Sequence, residues 1–96
     1  MNWKVNKLKE GLTFVTSEKG NSMLPLIKSG QDHKLEPVTD INNIEIGDIV
    51  YCKVRGRFYT HLVKAKDATK GLLIGNNRGQ INGWTKQIFG KVIEVL

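Results

Sequence analysis

Residues 48–66 read DIVYCKVRGRFYTHLVKAK, and this stretch decides the fold. Both halves are rich in β-branched and aromatic residues, which favour strands. The period of two of a strand assigns the side chains of each half to two faces. Arg55 and Gly56 lie between the halves, with the length and the glycine of a two-residue hairpin turn. The stretch therefore predicts two antiparallel strands, 48–54 and 57–66, joined by a tight turn.

The rest of the chain continues this pattern of short strands. A helix is predicted over 2–10, and one short helical turn after Ser22. Glycine-rich turns separate the strands, and 75–83 (GNNRGQING) is predicted as a turn region. Together these features predict a mainly β domain, a small coiled β-sheet or partly open barrel with one or two short helices. The further predicted strands are 12–18, 33–38 (with Pro37 at an edge or an end), 71–75 and 88–96.

Length and composition narrow the class of protein. The 96 residues predict one domain, 1–96, with its core in about 12–96. Apolar runs are far shorter than the roughly 20 residues of a membrane span, and the N-terminus lacks the apolar stretch of a signal peptide. We therefore expect no membrane anchor and a cytoplasmic location. Cys52, the single cysteine, excludes an internal disulfide and is expected to be a small buried hydrophobe.

The sequence gives no reason to expect a metal or another cofactor. Cys52, His33 and His61 do not have the spacing of metal ligands. The formal net charge of +6 does raise a nucleic-acid-binding β-domain as one hypothesis. No nucleic-acid-binding motif accompanies the charge. The aromatic residues that would stack on bases are few, and we expect them in the core: Trp3, Trp84, Phe58 and Tyr59.

A serine in GNSMLPLI (20–27) is a candidate nucleophile. A serine hydroxyl needs a base within hydrogen-bond reach to attack a carbonyl at neutral pH. In the 57–66 strand, His61 shares the more apolar face with Val63, whereas Lys64 belongs to the opposite face. Burial keeps an imidazole neutral, as a general base must be. The alternative is that Ser22 is a helix N-cap and His61 an ordinary core residue.

Five segments, in order, resemble the sequence boxes of the signal peptidases and LexA-type repressor peptidases. GNSMLPLIKSGQ is similar to the nucleophile box, and FYTHLVKAK to the strand that carries the general base. The match is to the branch that uses histidine at this strand position, because the segment reads Thr-His-Leu-Val. The other three boxes are IEIGDIVYCKV, GLLIGNNRGQINGW and IFGKVIEVL.

The resemblance implies a serine endopeptidase with the fold of that superfamily. Ser22 would be the nucleophile, His61 the general base, and the backbone N–H of Ser22 an oxyanion donor. Met23 and Pro25 would contact a peptide or protein substrate. A small basic form of the module without an anchor also suggests a phage or mobile-element source.

The sequence departs from the family pattern where the base is oriented. The histidine branch uses an aspartate in the later turn region, and this chain offers Asn76, Asn77 or Asn82. An asparagine orients a histidine but does not offset the charge of an imidazolium. Gly20 also lacks a hydroxyl that some members direct at the oxyanion. A degenerate, non-catalytic module that binds a peptide or protein is therefore the alternative.

Overall fold

The computed structural model describes residues 2–96, which form seven strands, one α-helix and one 3-10 turn. The helix, α1, spans Trp3–Lys9, and the 3-10 turn spans Ile41–Asn43. The strands are β1 (Phe14–Thr16), β2 (His33–Pro37), β3 (Ile49–Val54), β4 (Arg57–Asp67), β5 (Gly71–Gly75), β6 (Ile81–Thr85) and β7 (Ile88–Val95).

The central hairpin forms as its sequence predicts. β3 and β4 pair antiparallel up to Val54 opposite Arg57, with Arg55 and Gly56 as the turn. Both turn residues have positive φ, 52° and 82°, as the central residues of a type I′ turn require. Cys52 is fully buried, as expected. It donates its thiol to the carbonyl of Tyr59 at 3.7 Å, and burial raises its pKa to about 12.

All seven strands of residues 2–96 belong to one antiparallel sheet in the order β1-β2-β7-β3-β4-β5-β6. The sheet does not close into a barrel, but it curls. The hydroxyl of Thr85, at the end of β6, donates to the carbonyl of Lys53 in β3 at 2.7 Å. The predicted mainly β class is confirmed, and the sheet leaves β1 and β6 as edge strands.

β6 is a correction to the predicted turn region 75–83. The turn occupies 76–80, and the chain then pairs with β5 from Ile81 onward. Gly83 lies inside this strand with φ 137°, and a Cβ there would be 3.3 Å from the side chain of Val54. The glycine that suggests a turn in the sequence instead permits a close approach of β6 to β3.

The core lies on both faces of the sheet. One cluster contains Val50, Cys52 and Val54 of β3 with side chains from β4, β5 and β7. On the other face, Val5 and Leu8 of α1 pack against Leu35 and Tyr51. Asn2 begins the helix by accepting hydrogen bonds from the first-turn N–H groups.

The expectation that the four large aromatic residues belong to the core is wrong for three of them. Trp3, Phe58 and Trp84 are 52%, 39% and 37% exposed, and Tyr59 alone packs partly against the core. A domain of only 96 residues has a small interior, so some of its large apolar side chains remain on the surface. Within residues 2–96, no helix is long and apolar enough to cross a membrane.

Candidate active site

Ser22 lies in a turn that its apolar neighbours fasten to the sheet. The N–H groups of Leu26 and Ile27 donate to the carbonyl of Met23 at 2.8 and 3.1 Å, which closes one short turn as predicted. Met23 and Ile27 are buried against Leu62 of β4. The apolar run thus holds the segment in place, and the hydroxyl of Ser22 stays half-buried beside β4.

His61 faces that hydroxyl. The distance between Ser22 Oγ and His61 Nε2 is 3.1 Å, within hydrogen-bond reach. His61 is 8% exposed, and its ring stacks on Tyr59 with centroids 4.8 Å apart. Residues 59 and 61 share a face of β4, as the period of two predicts.

Asn82, in β6, contacts the other ring nitrogen. Its Oδ1 is 2.7 Å from His61 Nδ1. An amide oxygen accepts a hydrogen bond, so Nδ1 is the protonated nitrogen of the neutral ring. The lone pair of Nε2 then points at the hydroxyl of Ser22. The three side chains form a Ser–His–Asn chain of two hydrogen bonds.

The other two candidate asparagines do not contact His61. Asn76 shapes the turn between β5 and β6, since its Oδ1 accepts from the N–H groups of Arg78 and Gln80 at 2.8 and 3.0 Å. Asn77 instead holds the Ser22 segment. Its backbone N–H donates to the carbonyl of Ser22 at 2.9 Å, and its side chain donates to that of Leu24 at 2.8 Å.

The environment of His61 lowers its pKa. Burial is the largest cause, because it disfavours the charged imidazolium. The hydrogen bond that His61 donates to Asn82 and the negative charge of Glu18 oppose this shift and raise the pKa. The net result keeps the imidazole neutral at pH 7, which is the state that accepts a proton from a hydroxyl.

A cleft of about 190 Å³ opens beside Ser22 and His61. Met23 lines this cleft, whereas the exposed Pro25 lies outside its lining. The N–H of Ser22 has no hydrogen-bond acceptor among residues 2–96. This donor is therefore unpaired within the described residues.

Among the further polar residues that line the cleft, Glu18, His33 and Thr60 form a connected cluster, and Lys19 and Lys28 also line it. Thr60, next to His61, donates its hydroxyl to the carboxylate of Glu18. His33 Nε2 lies 3.7 Å from the same carboxylate, and Lys4 Nζ lies 3.6 Å from its other oxygen. Sequence reasoning missed this cluster, because Glu18 lies within a predicted strand and nothing in the spacing links it to residue 60.

Lys64 does not contribute to this cleft. β4 is irregular between Val63 and Ala65, and the side chain of Lys64 lies beside Gly75.

Within residues 2–96, no group of three potential metal ligands comes together. Searches with family models, curated proteins and solved structures find no match to this chain. The chemistry of the cleft must therefore be read from its own residues.

Proposed function

We propose that the protein is a serine endopeptidase in which Ser22 is the nucleophile, His61 the general base and Asn82 a positioning residue. The observation that carries the proposal is the 3.1 Å contact between Ser22 Oγ and His61 Nε2, with Nδ1 held by Asn82 at 2.7 Å. A nucleophile, a base and a group that orients the base are the parts that acyl transfer needs. The resemblance to signal peptidases and LexA-type peptidases supports the same roles.

The reaction proceeds in two halves. Ser22 Oγ forms a bond to the carbonyl carbon of the substrate while its proton passes to His61 Nε2. The imidazolium then returns this proton to the leaving amine as the C–N bond breaks, which leaves an acyl ester on Ser22. In the second half, water attacks the ester carbonyl while His61 Nε2 takes its proton, and this proton then passes to Ser22 Oγ as the C–Oγ bond breaks and the acid product leaves. The N–H of Ser22 stabilises the oxyanion in both halves.

The peptide would bind in an extended form beside exposed backbone. Glu18, which follows edge strand β1, and Phe58–His61 border the cleft from two sides. Pairing between β4 and β5 begins only at Leu62, so β5 leaves the first half of β4 uncovered on that side. A substrate strand added there would lie beside His61, whose ring contacts Ser22.

Asn82 favours a second candidate function, a binding module of the same fold without turnover. The amide holds His61 in place, but it is neutral and does not stabilise an imidazolium as a carboxylate does. On this alternative the cleft binds a peptide or protein partner, and Ser22 and His61 are polar contacts within it.

Covalent labelling of Ser22 distinguishes the two candidates. The protein is incubated with a fluorophosphonate probe, and the modified residue is identified by mass spectrometry. We expect a single adduct on Ser22 that is lost in Ser22→Ala and reduced at least about 100-fold in rate in His61→Ala, as for a general base. Ser17→Ala is the matched control, because Ser17 is exposed and does not line the cleft. Equal labelling of wild type and His61→Ala, or none of either, would leave the binding module as the better account.

A further inference from the structure

A second, larger groove lies next to the Ser22 cleft. Its volume is about 450 Å³, more than twice the 190 Å³ of the cleft. α1 forms one wall with Asn6 and Lys9, and β3, β4 and β7 with the preceding Gln87 form the other. The aromatic rings of Phe58 and Phe89, with centroids 6.0 Å apart, contribute apolar surface.

The charge of this groove has one sign. Lys9 and Lys53 line it, and no acidic side chain of residues 2–96 does. Asn6 and Gln87 add exposed amides that pair with a peptide backbone. Two cations, amides and apolar ring edges complement a chain that carries carboxylates between apolar side chains.

The groove and the cleft share one lining residue. Phe58, 39% exposed, lines both. It lies three residues before His61 on β4, so roughly 10 Å of strand separates the two positions. On the proposed function, a peptide with its scissile bond at Ser22 that runs along the edge of β4 toward Phe58 meets the groove within a few residues, because the Phe58 side chain lines both cavities.

We propose that this groove is a substrate subsite that binds an acidic segment of the peptide a few residues from the bond that Ser22 attacks. The position of this subsite relative to a scissile bond rests on the proposed function. The charge of its ligand rests only on the residues that line the groove. Lys9 and Lys53 bind carboxylates, and Phe58 and Phe89 contact an apolar side chain between them.

The aromatic geometry favours a peptide over single-stranded nucleic acid. Nucleobases bind to free ring faces. The ring of Phe58 already stacks on Tyr51 with centroids 5.8 Å apart, and Lys53 Nζ lies 5.2 Å from its centroid. A base would have to displace these partners, whereas a peptide side chain needs only the exposed edge.

Fluorescence anisotropy with the Ser22→Ala protein tests the subsite without turnover. The probes are a fluorescein-labelled octapeptide with four glutamates alternating with alanine and leucine, its counterparts with glutamine or lysine for glutamate, and labelled dT8. We expect the glutamate peptide to bind most tightly. Lys9→Glu should weaken its binding roughly fivefold, the scale of one partly exposed charge pair. The His61 imidazole NMR signals should shift when the peptide binds, because it extends past Phe58.

Lys7→Glu is the matched control, since Lys7 lies in the same last turn of α1 and does not line the groove. It should change the affinity less than about twofold, as a remote screened charge does. Equal weakening by both variants, or equal binding of the glutamine peptide, would overturn the subsite. Tighter binding of dT8 that Lys9→Glu abolishes would assign the groove to nucleic acid instead. If the His61 signals do not shift, the peptide in the groove does not extend to Ser22 and His61, and the groove is not a subsite of the cleft. These readouts need no catalysis, so failed acylation of Ser22 leaves them interpretable.

Discussion

On the proposed function, Asn82 determines how strongly His61 can activate the hydroxyl of Ser22. Its Oδ1 fixes the tautomer of His61 at 2.7 Å, and this is half of what an aspartate does at the same place. The other half, a negative charge beside the imidazolium, is missing. Glu18 raises the pKa of His61 through its charge, but it shares that charge with Lys4 and burial outweighs it.

We predict that Asn82→Asp increases the rate of Ser22 acylation. A carboxylate at this position stabilises the imidazolium that forms as Ser22 gives up its proton. The corresponding change is worth about 10⁴ in the trypsin template. Here we expect the acylation rate to increase roughly 10- to 100-fold, because water in the partly open cleft screens the charge. The same anion raises the pKa of His61, so the rate should begin to fall at a higher pH during acidification.

Acylation rates measured against pH, with NMR titration of His61, test this prediction. Asn76→Asp is the control, because it adds the same charge while keeping the oxygen that caps the turn. A raised His61 pKa with no faster acylation would support the binding module. An unchanged pKa would contradict the contact itself.

The sequence predicts the place of His61 in the site better than that of Asn82, because His61 lies in a strand with a clear period of two. Strand alternation places His61 on the same face as Val63 without any knowledge of the partner strands. Asn76, Asn77 and Asn82 lie in a region where glycines disrupt every period, so the residues alone do not rank them. Only pairing of β6 with β5 decides that Asn82 reaches the histidine while Asn77 reaches the Ser22 segment.

At the scale of elements, close backbone approaches explain why the β5–β6 hairpin is difficult to predict from the sequence. Gly71 opens β5 with φ 93°, and a Cβ there would collide with the carbonyl oxygen of Thr85. Gly83 has a comparable role within β6. Glycine is depleted from strands on average, so its use for close packing hides the strand.

We predict that Gly71→Ala destabilises the protein much more than Gly79→Ala. Both glycines have positive φ, 93° and 91°, so alanine costs each of them about 1 kcal/mol of backbone strain. A Cβ at Gly79 meets nothing within 4 Å, whereas at Gly71 it collides with the backbone of β6. Gly71→Ala should therefore lower the free energy of unfolding by roughly 3 kcal/mol or more. Urea unfolding measures both, and equal losses would contradict the close approach.

The segment between β1 and β2 shows the limit of local pattern in this chain. A strand is predicted over 12–18, but the structure ends it at Thr16. The chain then leaves the sheet, and Glu18 turns to bind Thr60. No local preference encodes that contact, because its partner is 42 residues away. The fold class follows from strand periodicity, whereas the cleft follows from this long-range contact.

At the scale of the whole molecule, the curl of the sheet assembles the site from three separate segments. Ser22 comes from the turn after the first edge strand, His61 from central β4 and Asn82 from the opposite edge strand. The site therefore exists only when the whole sheet has formed. Its buried histidine consequently links the protonation of the site to the stability of the fold.

We predict that the protein loses stability as the pH falls below about 6.5, and that His61 causes part of this loss. Burial lowers the pKa of His61 in the folded state from its ordinary value of 6.5. Between the unfolded and folded pKa values, the unfolded chain therefore binds a proton that the folded chain does not, and acidification favours unfolding. The groups facing the ring are Ser22, Tyr59, Asn82 and Glu18, and among these only Glu18 carries a charge.

Urea unfolding at several pH values between 7.5 and 5 compares wild type with His61→Gln, which retains a polar side chain that does not titrate. Wild type should lose more stability than the variant on acidification, because the other titrating groups are common to both proteins. The Ser22→Ala protein is the control, since it removes the hydroxyl and keeps the buried imidazole, and it should retain the wild-type slope. If His61→Gln shows the same slope as wild type, His61 is as easily protonated in the folded protein as in the unfolded chain. It would then be solvated rather than buried against Tyr59, and its neutral state at pH 7 would owe nothing to the fold.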